Sequence, residues 1–229
     1  EVIKSDPVCH MDARQSSFTY ILEGKTYHFC SENCKNIFLT EPENYLNTQE
    51  RNLCQNSNRE RDYADSLNMG LIAADTLKGS LRRYVCFNDE TLQIDIDYGS
   101  PGVKERVIWG GLVAYDKVWV TGAHNVTKIT FSEDVVIQKE IIKKGSYALF
   151  TIPGKSEWTI ILNTNFNQHL ADDYKETEDV IRIKVKPGKT KELTPRLTYT
   201  INPETDKNVI NIEFKWEYMS IGLPVVVKK

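Results

Sequence analysis

Cys9, Cys30 and Cys34 are the residues whose type and spacing most directly imply chemistry in this chain. They lie in Asp6-Pro7-Val8-Cys9-His10-Met11 and in Tyr27-His28-Phe29-Cys30-Ser31-Glu32-Asn33-Cys34. Twenty residues separate the first two, and the last pair is a CxxxC. Thiolates are soft ligands, so three of them gathered by a β-hairpin and a helix start would suit zinc or copper(I). Three sulfurs leave a tetrahedron one donor short, and the spacing does not name the fourth. The competing reading is a buried, reduced cysteine cluster that packs a small module without metal.

The elements that must position these thiols are legible around them. Phe18-Thr19-Tyr20-Ile21-Leu22 and Thr26-Tyr27-His28-Phe29 read as short strands. Glu23-Gly24-Lys25 between them is a tight turn in which Gly24 is free to take positive φ. Ser31 is a good N-cap for a helix from Glu32 to about Leu39. Thr40-Glu41-Pro42-Glu43 opens a second short helix through Tyr45 and Leu46. Residues 1–50 therefore read as a module too small to hold together on its own apolar surface, and a metal would supply the missing stability.

Beyond it, residues 51–80 read as a connecting region. Residues 51–62 are polar and linker-like, and Tyr63 to Leu77 is expected to be helical, with Leu67, Leu71 and Ile72 on one face. From about residue 81 the apolar period becomes two. Leu92, Ile94, Ile96 and Tyr98 alternate with polar residues, as do Ile181, Ile183 and Val185, and Ile210, Ile212, Phe214, Trp216 and Tyr218. Further strands are expected near 147–152, 157–163, 191–201 and 221–227. Many strands at short spacing predict an antiparallel β-sandwich or jelly roll over 81–229, so the chain as a whole is expected to be mainly β.

Composition bounds the partners. The chain has 229 residues and a net charge of −3, with a local balance of −4 in residues 1–50 and near +1 in the rest. Neither part has the basic excess that nucleic-acid binding usually requires. No apolar run approaches the roughly 20 residues that would span a bilayer, so no transmembrane segment is expected. The chain starts at Glu1, which points to removal of an upstream segment, a signal peptide or an expression tag. With three cysteines assigned to metal, Cys54 and Cys86 remain. They could pair in an oxidising compartment, but two reduced thiols is the reading the sequence favours.

Two resemblances follow from these residues. Asp6-Pro7-Val8-Cys9-x-Met11, Gly24-Lys25-x-Tyr27-His28-Phe29-Cys30-Ser31-x-x-Cys34-x-x-x-Phe38 and Glu41-Pro42-Glu43-x-Tyr45-Leu46 together resemble a YHS domain over roughly residues 4–48. The resemblance implies heavy-metal binding and a fold akin to treble-clef zinc fingers. Related fingers open with CxxC, and Asp6 stands at the first position of that pair, which makes it the favoured fourth ligand. A carboxylate oxygen can occupy a zinc position. His28 is the rival, because on a strand it would share a face with Cys30. His10 departs from the glycine usual in the family and could also reach a metal.

Residues from about 80 to 227 resemble a bacterial domain of unknown function, number 2911 in that series. The likeness lies in Asp97-Tyr98-Gly99-Ser100-Pro101, Ile108-Trp109-Gly110, Tyr115-Asp116-Lys117-Val118-Trp119, Lys144-Gly145-Ser146-Tyr147-Ala148-Leu149-Phe150 and Glu157-Trp158-Thr159-Ile160-Ile161-Leu162-Asn163. It implies an all-β fold and, because members are often predicted to be exported, a periplasmic location. The family usually carries arginine where Val120 stands, which weakens any anion site there.

Tyr98, Arg106, Trp119, Thr121 and His124 offer aromatic faces, a fixed charge and a group that titrates near neutrality, so they are candidates to line a pocket. The bland alternative makes both Trp109 and Trp119 core residues. His124, His169, Asp172 and Asp173 could form a second metal site, but their spacing is loose. No nucleophile elbow, P-loop or dinucleotide fingerprint is present. The leading expectation is a metal-binding, non-catalytic envelope protein whose β domain binds a small ligand or a protein partner. The alternative is an enzyme with its active site around Arg106, Trp119 and His124 and a structural metal finger.

Overall fold

A computed structural model describes residues 2–3, 6–8, 13–40, 42, 45, 62–204 and 208–228. The chain is mainly β. The N-terminal module holds a three-stranded sheet of β1 (Val2–Ile3), β3 (Lys25–Phe29) and β2 (Phe18–Leu22), in the order β1-β3-β2. Leu22 pairs with Lys25, so the hairpin turns on Glu23 and Gly24 alone. Both have positive φ (49° and 77°), as a two-residue turn matched to strand twist requires. Helix α1 (Glu32–Thr40) follows. Most of the expected second short helix lies outside the described residues, as does the polar linker up to residue 61.

The connecting helix is shorter than its apolar spacing predicts. It runs Tyr63–Asn68 (α2) rather than to Leu77. Asp62 caps its start by accepting from Asp65 N at 2.9 Å. Gly70, at φ 74°, ends it: Gly70 N donates to Leu67 O and Leu71 N to Ser66 O, the paired bonds of a Schellman stop. Leu71 is consequently exposed.

The rest is a sandwich of two antiparallel sheets. The larger, in the order β11-β10-β9-β6-β5-β4, comprises β4 (Leu81–Asn88), β5 (Gln93–Ser100), β6 (Thr127–Phe131), β9 (Gly145–Ile152), β10 (Trp158–Asn163) and β11 (Asp179–Val185). The smaller, in the order β12-β13-β7-β8, comprises β7 (Val135–Ile137), β8 (Glu140–Ile142), β12 (Gly188–Pro203) and β13 (Val209–Val227). Alternation sends Ile94, Ile96 and Tyr98 of β5 and Ile210, Ile212, Phe214 and Trp216 of β13 into the main core.

The alternation of β13 then changes phase. Glu217 sits at φ 55°, and the pairing with β12 shifts register there. Tyr218, expected inside, is 48% exposed, and the inward residues become Ile221, Leu223 and Val225. The extra residues of this irregularity lie on β12, and on β13 the left-handed turn of the backbone at Glu217 sends every later side chain to the other face.

All four tryptophans meet in this core. Trp109 lies edge-on to Trp119, Trp158 and Trp216 at centroid distances of 5.8, 4.8 and 5.7 Å. Trp119 stacks on Trp216 at 5.8 Å. The indole nitrogens of Trp109, Trp158 and Trp216 are buried without a conventional hydrogen-bond acceptor among the described residues. Edge-to-face packing turns the positive edge of one ring toward the negative face of the next.

Candidate metal centre

The site is built where β3 ends. Phe29 closes the strand, Cys30 lies in a bend, and Ser31 caps α1 by accepting from Cys34 N at 3.2 Å. Cys34 thereby falls in the first helical turn, where the dipole favours a thiolate. It is fully buried beside Phe38, one turn on, and Phe38 packs against Tyr27 and Phe29.

Asp6 is fully buried and ties the N-terminal turn to this corner. Its Oδ1 accepts from Val8 N at 2.8 Å and its Oδ2 from Cys30 N at 2.7 Å. The donor atoms of Asp6, Cys30 and Cys34 all lie within 4.8 Å of one another, a trio of one carboxylate and two thiols in which Asp6 and Cys34 are buried and Cys30 is half-buried. Cys30 and Cys34 are not disulfide-bonded, and their sulfurs stand 3.7 Å apart. Two thiolates bound tetrahedrally to zinc at about 2.3 Å are about 3.8 Å apart, so the pair already has the spacing of a metal chelate.

Cys9 and His10 lie outside the described residues. His28 does not join the trio. The strand stops at Phe29, so the alternation expected to place His28 and Cys30 on one face ends before the cysteine. His28 pairs with Thr19 across the hairpin, and its Nδ1 is shielded from solvent without a hydrogen-bond partner among the described residues.

Cys86 on β4 is disulfide-bonded, contrary to the reduced thiol the sequence favoured. Its partner is not among the described residues; Cys54 lies outside them.

The five residues expected to line a pocket in the β domain do not gather. Tyr98 points into the closed core, where its hydroxyl accepts from Arg83 Nη1 at 2.9 Å and Tyr199 N at 3.2 Å. Trp119 joins the tryptophan cluster and donates to Gly122 O. Thr121 is buried, its hydroxyl 3.1 Å from that of Thr151. Arg106 lies on an exposed turn and donates to the carbonyls of Gly102 and Val103. His124 is half-buried beside His169, ring centroids 6.4 Å apart. The expectation assumed an extended segment, but Thr121 and His124 have φ of 50° and 62°, so the chain turns at both.

Two buried arginines escaped the sequence reading. Arg196 of β12 is fully buried and reaches Asp75 (2.8 Å), Gly79 O and Ser100 O. Asn68 grips its backbone from both sides. Arg83 binds Asp62 (2.7 Å) and Asp65 (2.6 Å). Burial alone would lower the Arg83 pKa, but the charges of Tyr98, Asp62 and Asp65 outweigh it and hold it raised. Together they fasten the segment after residue 61 to the sandwich. The apolar core of the N-terminal module continues into that segment through Ala64, Leu77 and Leu81, and Arg82 N donates to Val8 O at 3.4 Å. No local pattern marks these pairs, because the partners are separated by up to 128 residues.

A thiol-and-carboxylate corner carried by a small sheet-and-helix module, joined to an antiparallel sandwich, defines the class of this molecule: a small module with a candidate metal site appended to a β domain. A family model described as a protein of unknown function (DUF2911) matches residues 80–225, and one described as a YHS domain matches residues 4–49. The chain belongs to the DUF2911 family and carries an N-terminal YHS domain. Comparison with curated proteins and with solved structures gave no match. Among the described residues, no helix is long and apolar enough to cross a membrane.

Proposed function

We propose that this is an exported protein whose YHS module binds one zinc or copper(I) ion through Cys30, Cys34, Cys9 and Asp6, and whose β domain serves as a binding scaffold. The observation that carries it is the 3.7 Å separation of a buried and a half-buried thiol with a carboxylate in the same corner. The Cys86 disulfide supports an oxidising compartment. There, a close dithiol persists in reduced form when its sulfurs are committed to a metal. A carboxylate in the set favours zinc, whereas three thiolates without it suit copper(I).

Arg106, Trp119 and His124 point to three different surroundings, so no observation favours an active site around them. Elemental analysis of the protein purified without chelator tests the proposal. One ion per chain is expected, and its loss in Cys30→Ser and Cys34→Ser. Wild-type protein without either metal, whose thiols stay reactive after zinc or copper(I) is added, would overturn the reading.

A further inference from the structure

The outer face of the larger sheet is covered unevenly. Over β9 and β10 it is dry: Ala148, Phe150 and Ile161 pack under Val120, Val126 and Tyr174. Over β4, β5 and β6 the cover lifts off and leaves a cleft of about 440 Å³. That is near the small end of the range for sites of organic ligands, ~300–1,000 Å³. Its floor is the outward row of three neighbouring strands, Arg82, Asp97 and Lys128. Its walls include Val126, Phe166 and His169.

Those walls are fixed in place. Val126 N donates to Gln168 O at 3.1 Å and Leu170 N to His124 O at 2.8 Å, and Asn125 bridges to His169. The two covering loops are thus stitched into a short antiparallel ladder. A cleft held open by backbone bonds costs little to organise when a ligand enters.

The charges inside are unequal. Arg82 takes Asp97 at 2.7 Å and spends further donors on the carbonyls of Asn125 and Val126. No carboxylate within ion-pair distance of Lys128 is found among the described residues, so the floor carries one surplus positive charge in a chain of net −3. Beside it, burial lowers the His124 pKa, and His169 and Arg82 lower it further, so the neutral imidazole is favoured there and Lys128 remains the cation that is not ion-paired. The exposed carboxylate of Asp172 lies 4.0 Å from His169 Nδ1. Phe166 and Val126 add an apolar wall beside the cation.

We propose that this cleft is a binding site for a small, flat organic acid, its carboxylate held at Lys128 and its apolar body against Phe166 and Val126. It does not rest on the metal reading: none of the described residues lining it belongs to the YHS domain.

Benzoate and its uncharged isostere benzamide are suitable probes, titrated into the full chain with backbone amide shifts followed by NMR. Benzoate is expected to move the amides of 125–128 and 166–169, and benzamide to bind about tenfold more weakly because it lacks the charged acceptor. Lys128→Met should erase the difference between the two probes. The wild-type shift map keeps the test decisive should that variant fold poorly. Equal binding of the two probes, shifts confined to other surfaces, or no shifts up to about 10 mM benzoate overturns the proposal.

Discussion

Asp6 does two jobs that a substitution can separate. Its two oxygens hold Val8 N and Cys30 N, which fixes the path of the chain around the thiols, and in the proposed site it is also a metal ligand. Asparagine keeps one carbonyl acceptor and turns the second position into a donor facing a donor. Asp6→Asn is therefore expected to destabilise the YHS module by about 1–3 kcal/mol, the cost of a buried unsatisfied N–H. If Asp6 is also a ligand, zinc affinity falls beyond what this destabilisation accounts for. Metal titration against a chromophoric chelator, beside a denaturant melt of the metal-free form, reads the two effects separately. Unchanged stability would show that the two backbone bonds contribute nothing.

At the scale of elements, the connecting helix shows what a stop signal does to an apolar period. Gly70 adopts φ 74°, which an L-residue reaches only with strain. Gly70→Ala is expected to cost about 1–2 kcal/mol in a chemical melt. Glycine in the left-handed position was readable at Gly24, where strand patterns flank it on both sides. At Gly70 the apolar residues Leu71 and Ile72 continue a helical spacing past the break, and the period masked the stop. The same competition explains β13. Its alternation was legible up to Trp216, but nothing in Trp216-Glu217-Tyr218 announces the left-handed Glu217, which sits where the pairing with β12 shifts register. Ser31 as cap of α1 and the outward row of β5 were legible because each depends on neighbours only a few residues away. The cleft above β5 was not, since it is made by loops that meet across more than 40 residues.

The whole molecule is joined through Arg196 and through a shared apolar seam. Arg196→Met leaves Asp75 buried without its cation, an expected loss of about 3–5 kcal/mol, and Arg196→Met combined with Asp75→Asn should recover part of it. The seam decides what happens when the metal corner is broken. On the proposed reading Cys30→Ser removes a ligand, and a module of this size would then lose its main stabilisation. If the boundary near residue 50 were also an energetic one, loss of hydrogen-exchange protection would stop with α1. But Val8, Tyr27, Phe29 and Phe38 share one core with Ala64, Leu77 and Leu81. Loosening the first set exposes the second, so protection should fall over 18–40 and, to a smaller degree, over 62–81. Arg83 and Arg196 oppose its spread, because they anchor that segment to strands whose own core is separate. Protection across 93–100 and 209–216 is therefore expected to survive. Loss there as well would mean that the sandwich cannot fold without the metal module. Unchanged protection at 62–81 would mean that the shared apolar contacts carry no stability.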